Sequence, residues 1–217
     1  MSKYLDFIKV LEKAALNANR DLEEIELIAV SKKKPAELIR EVINNGCHSF
    51  GENQLQEVEH KWIELRQEYP KTKLHFVGNI QSKKIEKIFQ LCDVIHSIDR
   101  EKIVQKIKTF EDKYHSKKEY FIQINTGNEP QKSGVAMNDS ESFIDNCINK
   151  YNLDVRGLMC IPPQNESPEE HFIRLRDLGK NFSLSYLSMG MSEDFETAIR
   201  CGATHIRIGT KIFGERS

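Results

Sequence analysis

A lysine closes the apolar run Leu27-Ile28-Ala29-Val30-Ser31-Lys32, and Pro35 stands three residues further on. Leu, Ile and Val in succession favour an extended strand, and proline suits the first turn of a helix. A lysine at the tip of a buried strand, aimed into a pocket, can lower its pKa and attack a carbonyl. Taken alone, Lys32-Lys33-Lys34 reads better as a solvated basic turn. The chemistry depends on what else reaches the same place.

The end of the chain offers a second set of groups, in Ser188-Met189-Gly190-Met191-Ser192 and Arg207-Ile208-Gly209-Thr210. Glycine lets backbone N–H groups approach phosphate oxygens, and the Ser188 and Thr210 hydroxyls can donate further hydrogen bonds. Either loop by itself is also explained by tight turns. Other residues carry less. His75 and His96 have no partners at metal-ligand spacing and read as packed or hydrogen-bonded histidines. No histidine–acid relay for Ser188 is recognisable in the sequence. Cys160 reads as an inert thiol, and Trp62 as packed beneath its helix.

These groups need elements to position them. Tyr4, Leu5, Phe7, Ile8, Leu11, Ala14, Ala15 and Ala18 recur at helical spacing and give an N-terminal amphipathic helix. After the strand ending at Ser31, strands are expected at His48–Gly51, Leu74–Gly78, Val94–Ser97, Tyr120–Asn125, Val155–Met159, Tyr186–Met189 and His205–Ile208. Helical patterns separate them. They include one from about Asn53 to Arg66, one opened by a Ser167-Pro168-Glu169-Glu170 capping box, and one from Ser192 to Arg200. A polar loop from Thr126 to Asn138 precedes the helix carrying Phe143 and Ile144. Eight strands alternating with helices predict an α/β fold, a (β/α)8 TIM barrel with an additional N-terminal helix. An open doubly wound sheet is the rival that periodicity leaves standing.

A barrel places reactive side chains at the strand C-termini, which brings forward Lys32, Asn53, Asn79, Gln81, Ser97 and Asn125. The loops after the last two strands are the usual phosphate site of such barrels, and closure sets the last strand beside the first. A lysine next to a phosphate cradle suggests a phosphorylated aldehyde held as a Schiff base, pyridoxal 5′-phosphate (PLP). Strand alternation turns Arg207 inward if Ile206 and Ile208 pack against helices. There it could meet the pyridine nitrogen or pair with a carboxylate inside the barrel. A permanent cation disfavours protonation of that nitrogen and restrains carbanion chemistry.

Composition narrows the class. The 32 basic and 33 acidic residues of the 217-residue chain nearly cancel, which argues against a general nucleic-acid partner. Five scattered cysteines without a Cys-x-x-Cys pair fit reduced thiols in a cytoplasmic protein. No apolar stretch approaches membrane-spanning length, and the charged N-terminus is no signal peptide. Residues 1–217 are expected to form a single domain.

Ala29-Val30-Ser31-Lys32 with Lys34-Pro35, Phe50-Gly51-Glu52-Asn53, His75-Phe76-Val77-Gly78 with Gln81-Ser82, and Lys132-Ser133-Gly134 together resemble the YggS/PROSC family. So do Arg156-Gly157-Leu158-Met159, Leu187-Ser188-Met189-Gly190-Met191-Ser192 and Arg207-Ile208-Gly209-Thr210-Lys211-Ile212-Phe213-Gly214. The match runs from Leu27 to Gly214 in consistent order. It implies a fold like the barrel domain of alanine racemase, with PLP as a Schiff base on Lys32 and Arg207 facing the pyridine nitrogen. It further implies Ser188, Gly209 and Thr210 on the phosphate, Asn53 lining the pocket and Met189 close to the cofactor. The resemblance implies a monomer that buffers PLP, delivers it to apo-enzymes and affects amino-acid and keto-acid balance, without established catalytic turnover. Departures are Lys33, where threonine is frequent, and Lys83-Lys84, where asparagine-lysine is usual. Two other functions stay open: a PLP-dependent amino-acid racemase, which in this fold draws on a second domain, and a Schiff-base aldolase acting on a sugar phosphate.

Overall fold

Each apolar run forms a strand that pairs in parallel with the next: β1 (Glu26–Val30), β2 (Ser49–Glu52), β3 (Lys73–Phe76), β4 (Val94–Ile98) and β5 (Glu119–Asn125). The chain continues through β7 (Val155–Cys160), β8 (Tyr186–Ser188) and β9 (His205–Ile208), and β9 pairs with β1. Pairing of β4 with β5 closes the ring, so eight parallel strands form a barrel and the open-sheet alternative is excluded. A two-residue strand, β6 (Val135–Ala136), adds to β5 outside the ring, within the stretch expected to be loop. This is a computed structural model, and it describes residues 2–215.

Barrel strands are covered on both faces, which is why they read as continuous apolar runs rather than alternating ones. All of β4 is buried, as is the centre of β5. Helices coat the outside. The N-terminal helix Lys3–Asn17 buries Tyr4, Phe7, Leu11, Ala14 and Ala15, and Phe7 meets Phe195 edge-on with ring centroids 5.3 Å apart. No described helix is long and apolar enough to cross a membrane.

Three local expectations shift. The helix expected from Asn53 begins at Leu55 and runs to Glu68, with a π-helical turn at Val58–Trp62. Ser167 precedes the helix Pro168–Asn181 but makes no side-chain cap, so the capping box does not form. The helix expected from Ser192 starts at Phe195: Asp194 Oδ1 accepts from Met191 N at 2.6 Å, and Ser192 Oγ accepts from Thr210 Oγ1 at 2.9 Å.

Candidate functional site

Because all barrel strands are parallel, their C-terminal ends share one face, and a cavity of about 970 Å³ opens there. Lys32, Asn53, Arg207, Gly209 and Thr210 line it together. Ser188 and Met189 do not; both are fully buried in the wall behind it.

Lys32 projects from the loop that follows β1 and is half-buried. Ser31 N donates to Gly51 O, and Lys34 N donates back to Ser31 O, which closes a tight turn around Lys32. A second lysine holds this turn from behind. Lys61, on the π-helical turn, donates to Ser31 O at 2.9 Å and sits 2.7 Å from Glu52 Oε1 and 2.9 Å from Glu57 Oε2. Glu52 Oε1 also accepts from Ser31 Oγ at 2.7 Å and from Trp62 Nε1 at 3.1 Å. The widened π turn brings Lys61 and Trp62, neighbours in sequence, onto the same carboxylate. Burial pushes the Glu52 pKa up, against the pull of Lys61, Ser31 and Trp62. Sequence reading missed this cluster. Its one signal was a lysine between Val58, Trp62 and Leu65 on the buried face of a helix.

Asn53 follows β2, and its Oδ1 is buried with no hydrogen-bond partner among the described residues. Its backbone is pressed against Gly78, where a Cβ would lie 2.0 Å from Asn53 O. A Gly78→Ala variant therefore has to move backbone at the cavity wall. We expect a loss of about 1–3 kcal/mol, or roughly 2–12 °C in Tm, read by thermal unfolding. An unchanged Tm would show that the strand end yields freely.

Arg207 does point inward, as alternation requires, with Ile206 and Ile208 packed outward in the core. Its Nη1 donates to Ser188 Oγ at 2.7 Å and its Nη2 to the Cys160 carbonyl at 2.9 Å, so it holds neutral groups rather than a carboxylate. Burial lowers its pKa, yet guanidinium remains a cation. The Cys160 thiol is pushed up to about 12 by burial and is inert, and all five cysteines are free and buried. Gly190 takes φ +93°, a left-handed turn that suits glycine, and leads the chain from β8 to the rim residues Met191 and Ser192. The opposite wall carries Asn79, Gln123, Lys132 and Ser133, with Asn79 Nδ2 donating to Ser133 Oγ at 2.7 Å.

A phosphorylated aldehyde fits these groups. Lys32 supplies an amine, Gly209 and Thr210 an N–H and hydroxyl edge, Arg207 a buried cation, and Asn53 an orphaned acceptor that a bound donor would satisfy.

Comparison with known proteins agrees with this chemistry. Residues 12–217 match the family described as alanine racemase, N-terminal domain. A pyridoxal phosphate homeostasis protein of Pseudomonas aeruginosa is 42% identical over 211 residues, covering 95% of this chain and 91% of its own. Another from Escherichia coli is 36% identical, covering 94% and 91%. The structure of PipY of Synechococcus elongatus with PLP bound superposes with a TM-score of 0.82 at 30% identity, covering 94% of this chain and 100% of that one.

Proposed function

The chain belongs to the alanine racemase N-terminal domain family, and from that membership we propose that it binds pyridoxal 5′-phosphate and serves in the homeostasis of that cofactor. The observation that carries the reading is the convergence of Lys32, Arg207, Gly209 and Thr210 on one cavity. In this reading Lys32 bears the cofactor covalently through its amine. Gly209 and Thr210 hold the phosphate, with Ser188 and Met189 shaping the wall behind them, and Asn53 lines the pocket. Arg207 faces the ring nitrogen. When bound, the cofactor supplies an aldehyde that condenses with an amine and a ring that can draw electrons from an attached carbon.

The protein's own groups favour holding over turnover. A guanidinium opposite the ring nitrogen keeps that nitrogen unprotonated and so weakens the ring as an electron sink. Met191 and Ile161 at the cavity edge are each 38% exposed, which leaves the mouth open to solvent and to a recipient. The protein then works as one barrel unit, a monomer in the cytoplasm, that takes up PLP and passes it to apo-enzymes.

The test adds PLP to the purified protein, reduces with borohydride and maps the labelled peptide. The expected result is a visible absorbance band before reduction and a single label on Lys32 after it. No band, or label spread over surface lysines, would overturn the reading.

A further inference from the structure

The interior of a (β/α)8 barrel is ordinarily stacked with branched apolar side chains. Here a polar column runs through it. Arg207 Nη1 donates to Ser188 Oγ at 2.7 Å, Ser188 Oγ lies 2.9 Å from His96 Nδ1, and His96 Nε2 lies 2.9 Å from His75 Nδ1. His75 Nε2 lies 3.2 Å from Glu26 Oε1 but makes no hydrogen bond among the described residues, so the column's hydrogen bonds end at His75 and its last step is an electrostatic contact. Glu26 opens β1 and so sits at the mouth opposite the cavity, where Ser49 Oγ donates to Oε1 at 2.7 Å and His205 Nε2 lies 3.0 Å from Oε2. Ser188, His96 and His75 are fully buried, and Arg207 is 5% exposed.

Counting protons gives the column a direction. Guanidinium has donors only, so Ser188 Oγ accepts from Arg207 and gives its single proton to His96 Nδ1. His96 then carries its proton on Nε2 and donates to His75 Nδ1. His75 in turn carries its proton on Nε2, facing Glu26. Every donor points away from the cavity, from a cation at one end to a carboxylate at the other, through two neutral imidazoles. The surroundings favour those protonation states. Burial lowers the pKa of both histidines, and in His96 the neighbouring His75, His205 and Arg207 add to it. Burial alone would raise the Glu26 carboxyl, but His205 and His75 together hold it well below the usual carboxylate range.

We infer that His96 and His75 are positioning residues which, through Ser188, hold the Arg207 guanidinium where it meets the ring nitrogen of the bound cofactor. The inference rests on the proposed function for the identity of that cofactor. The Cys160 carbonyl restrains Nη2 and the column restrains Nη1, so two of the five guanidinium donors are engaged and the plane of the group is fixed. Losing the column frees one edge and leaves the buried Ser188 hydroxyl without its acceptor.

A His96→Phe variant separates polarity from packing, because His96 already stacks on Phe121 at 4.3 Å with an interplanar angle of 5°. The expected result is a shifted absorbance band for the PLP-loaded variant and release of PLP faster by about tenfold. His96→Gln should restore both, since its amide oxygen can accept from Ser188 and its amide N–H can donate towards His75. A His96→Phe protein with the wild-type band and release rate would overturn the inference. If that variant does not fold, nitrogen NMR of the wild-type histidines decides. Both His75 and His96 should be neutral Nε2–H tautomers between about pH 6 and 8, and an imidazolium or an Nδ1–H form of either would overturn the column. Failure of the underlying reading is visible separately, as a wild-type protein that gives no PLP band.

Discussion

A Lys32→Ala variant is expected to give no visible band with PLP and to retain none of it after desalting, while keeping weak, reversible binding. The loss is complete because, among the described residues, Lys32 is the lysine that reaches the cavity from the end of β1, the strand that pairs with β9 and so lies next to Gly209 and Thr210. The neighbouring lysines are poor substitutes. Lys33 is exposed, and Lys34 Nζ is tied to Gly214 O at 3.1 Å and Glu215 O at 2.7 Å. Lys132 lines the same cavity from the far wall, but its ammonium is engaged by Glu129 and by the Pro162 carbonyl and would have to leave both. Arg207, Gly209 and Thr210 remain in the variant, so phosphate and ring contacts survive and non-covalent binding persists. Absorbance titration and desalting read the two effects apart. A variant that keeps the band would move the attachment to Lys132 and remove the basis for the proposed site.

Much of this site could be read from the chain because strand ends are local features. The apolar run ending at Lys32, the alternation that turns Arg207 inward and the glycines after the last two strands each depend on a few adjacent residues. Eight repeats of the pattern then fix which ends share a face. The polar column was not legible in the same way. His75, His96, Ser188 and Arg207 each occupy an inward position of their own strand, yet their contact depends on the stagger of four strands around the ring. No local signal carries that stagger. Ser188 precedes a glycine loop and so reads as a phosphate ligand, whereas the register also brings its hydroxyl against His96 and Arg207 inside the barrel. Ser192 failed as a helix cap for a related reason. Asp194 reaches the Met191 N–H first, and the Ser192 hydroxyl faces Thr210 across the two loops.

The same limit hid the ion pair behind Lys32, and there the expected energetic effect is largest. Lys61→Met should destabilise the fold by about 3–5 kcal/mol, because it strands the carboxylate of Glu52, which is fully buried with Oε2 already lacking a hydrogen-bond partner among the described residues. At this chain length that is on the order of 10 °C in Tm. The loss should grow with pH. Burial raises the folded pKa of Glu52 above its unfolded value, so the folded state takes up a proton more readily, and stability falls as pH climbs through the interval between the two. Lys61 is the leading influence that lowers this pKa, so its removal raises it further and widens the interval. Denaturant unfolding should therefore show a smaller deficit at about pH 5 than at about pH 8. A Lys61→Met/Glu52→Gln double variant, which removes the charge as well as its partner, should recover most of the loss. A deficit that is pH-independent, or that the second substitution deepens, would mean that Lys61 acts through packing instead. The consequence reaches the cavity because Lys61 also donates to Ser31 O, and to Lys34 O at 3.4 Å. Without those bonds the turn that aims Lys32 loses its ammonium anchor and keeps its own backbone bonds, the Glu57 carboxylate on Lys33 N and the Ser31 Oγ bond to Glu52, and covalent capture of PLP should slow even in the fraction that folds.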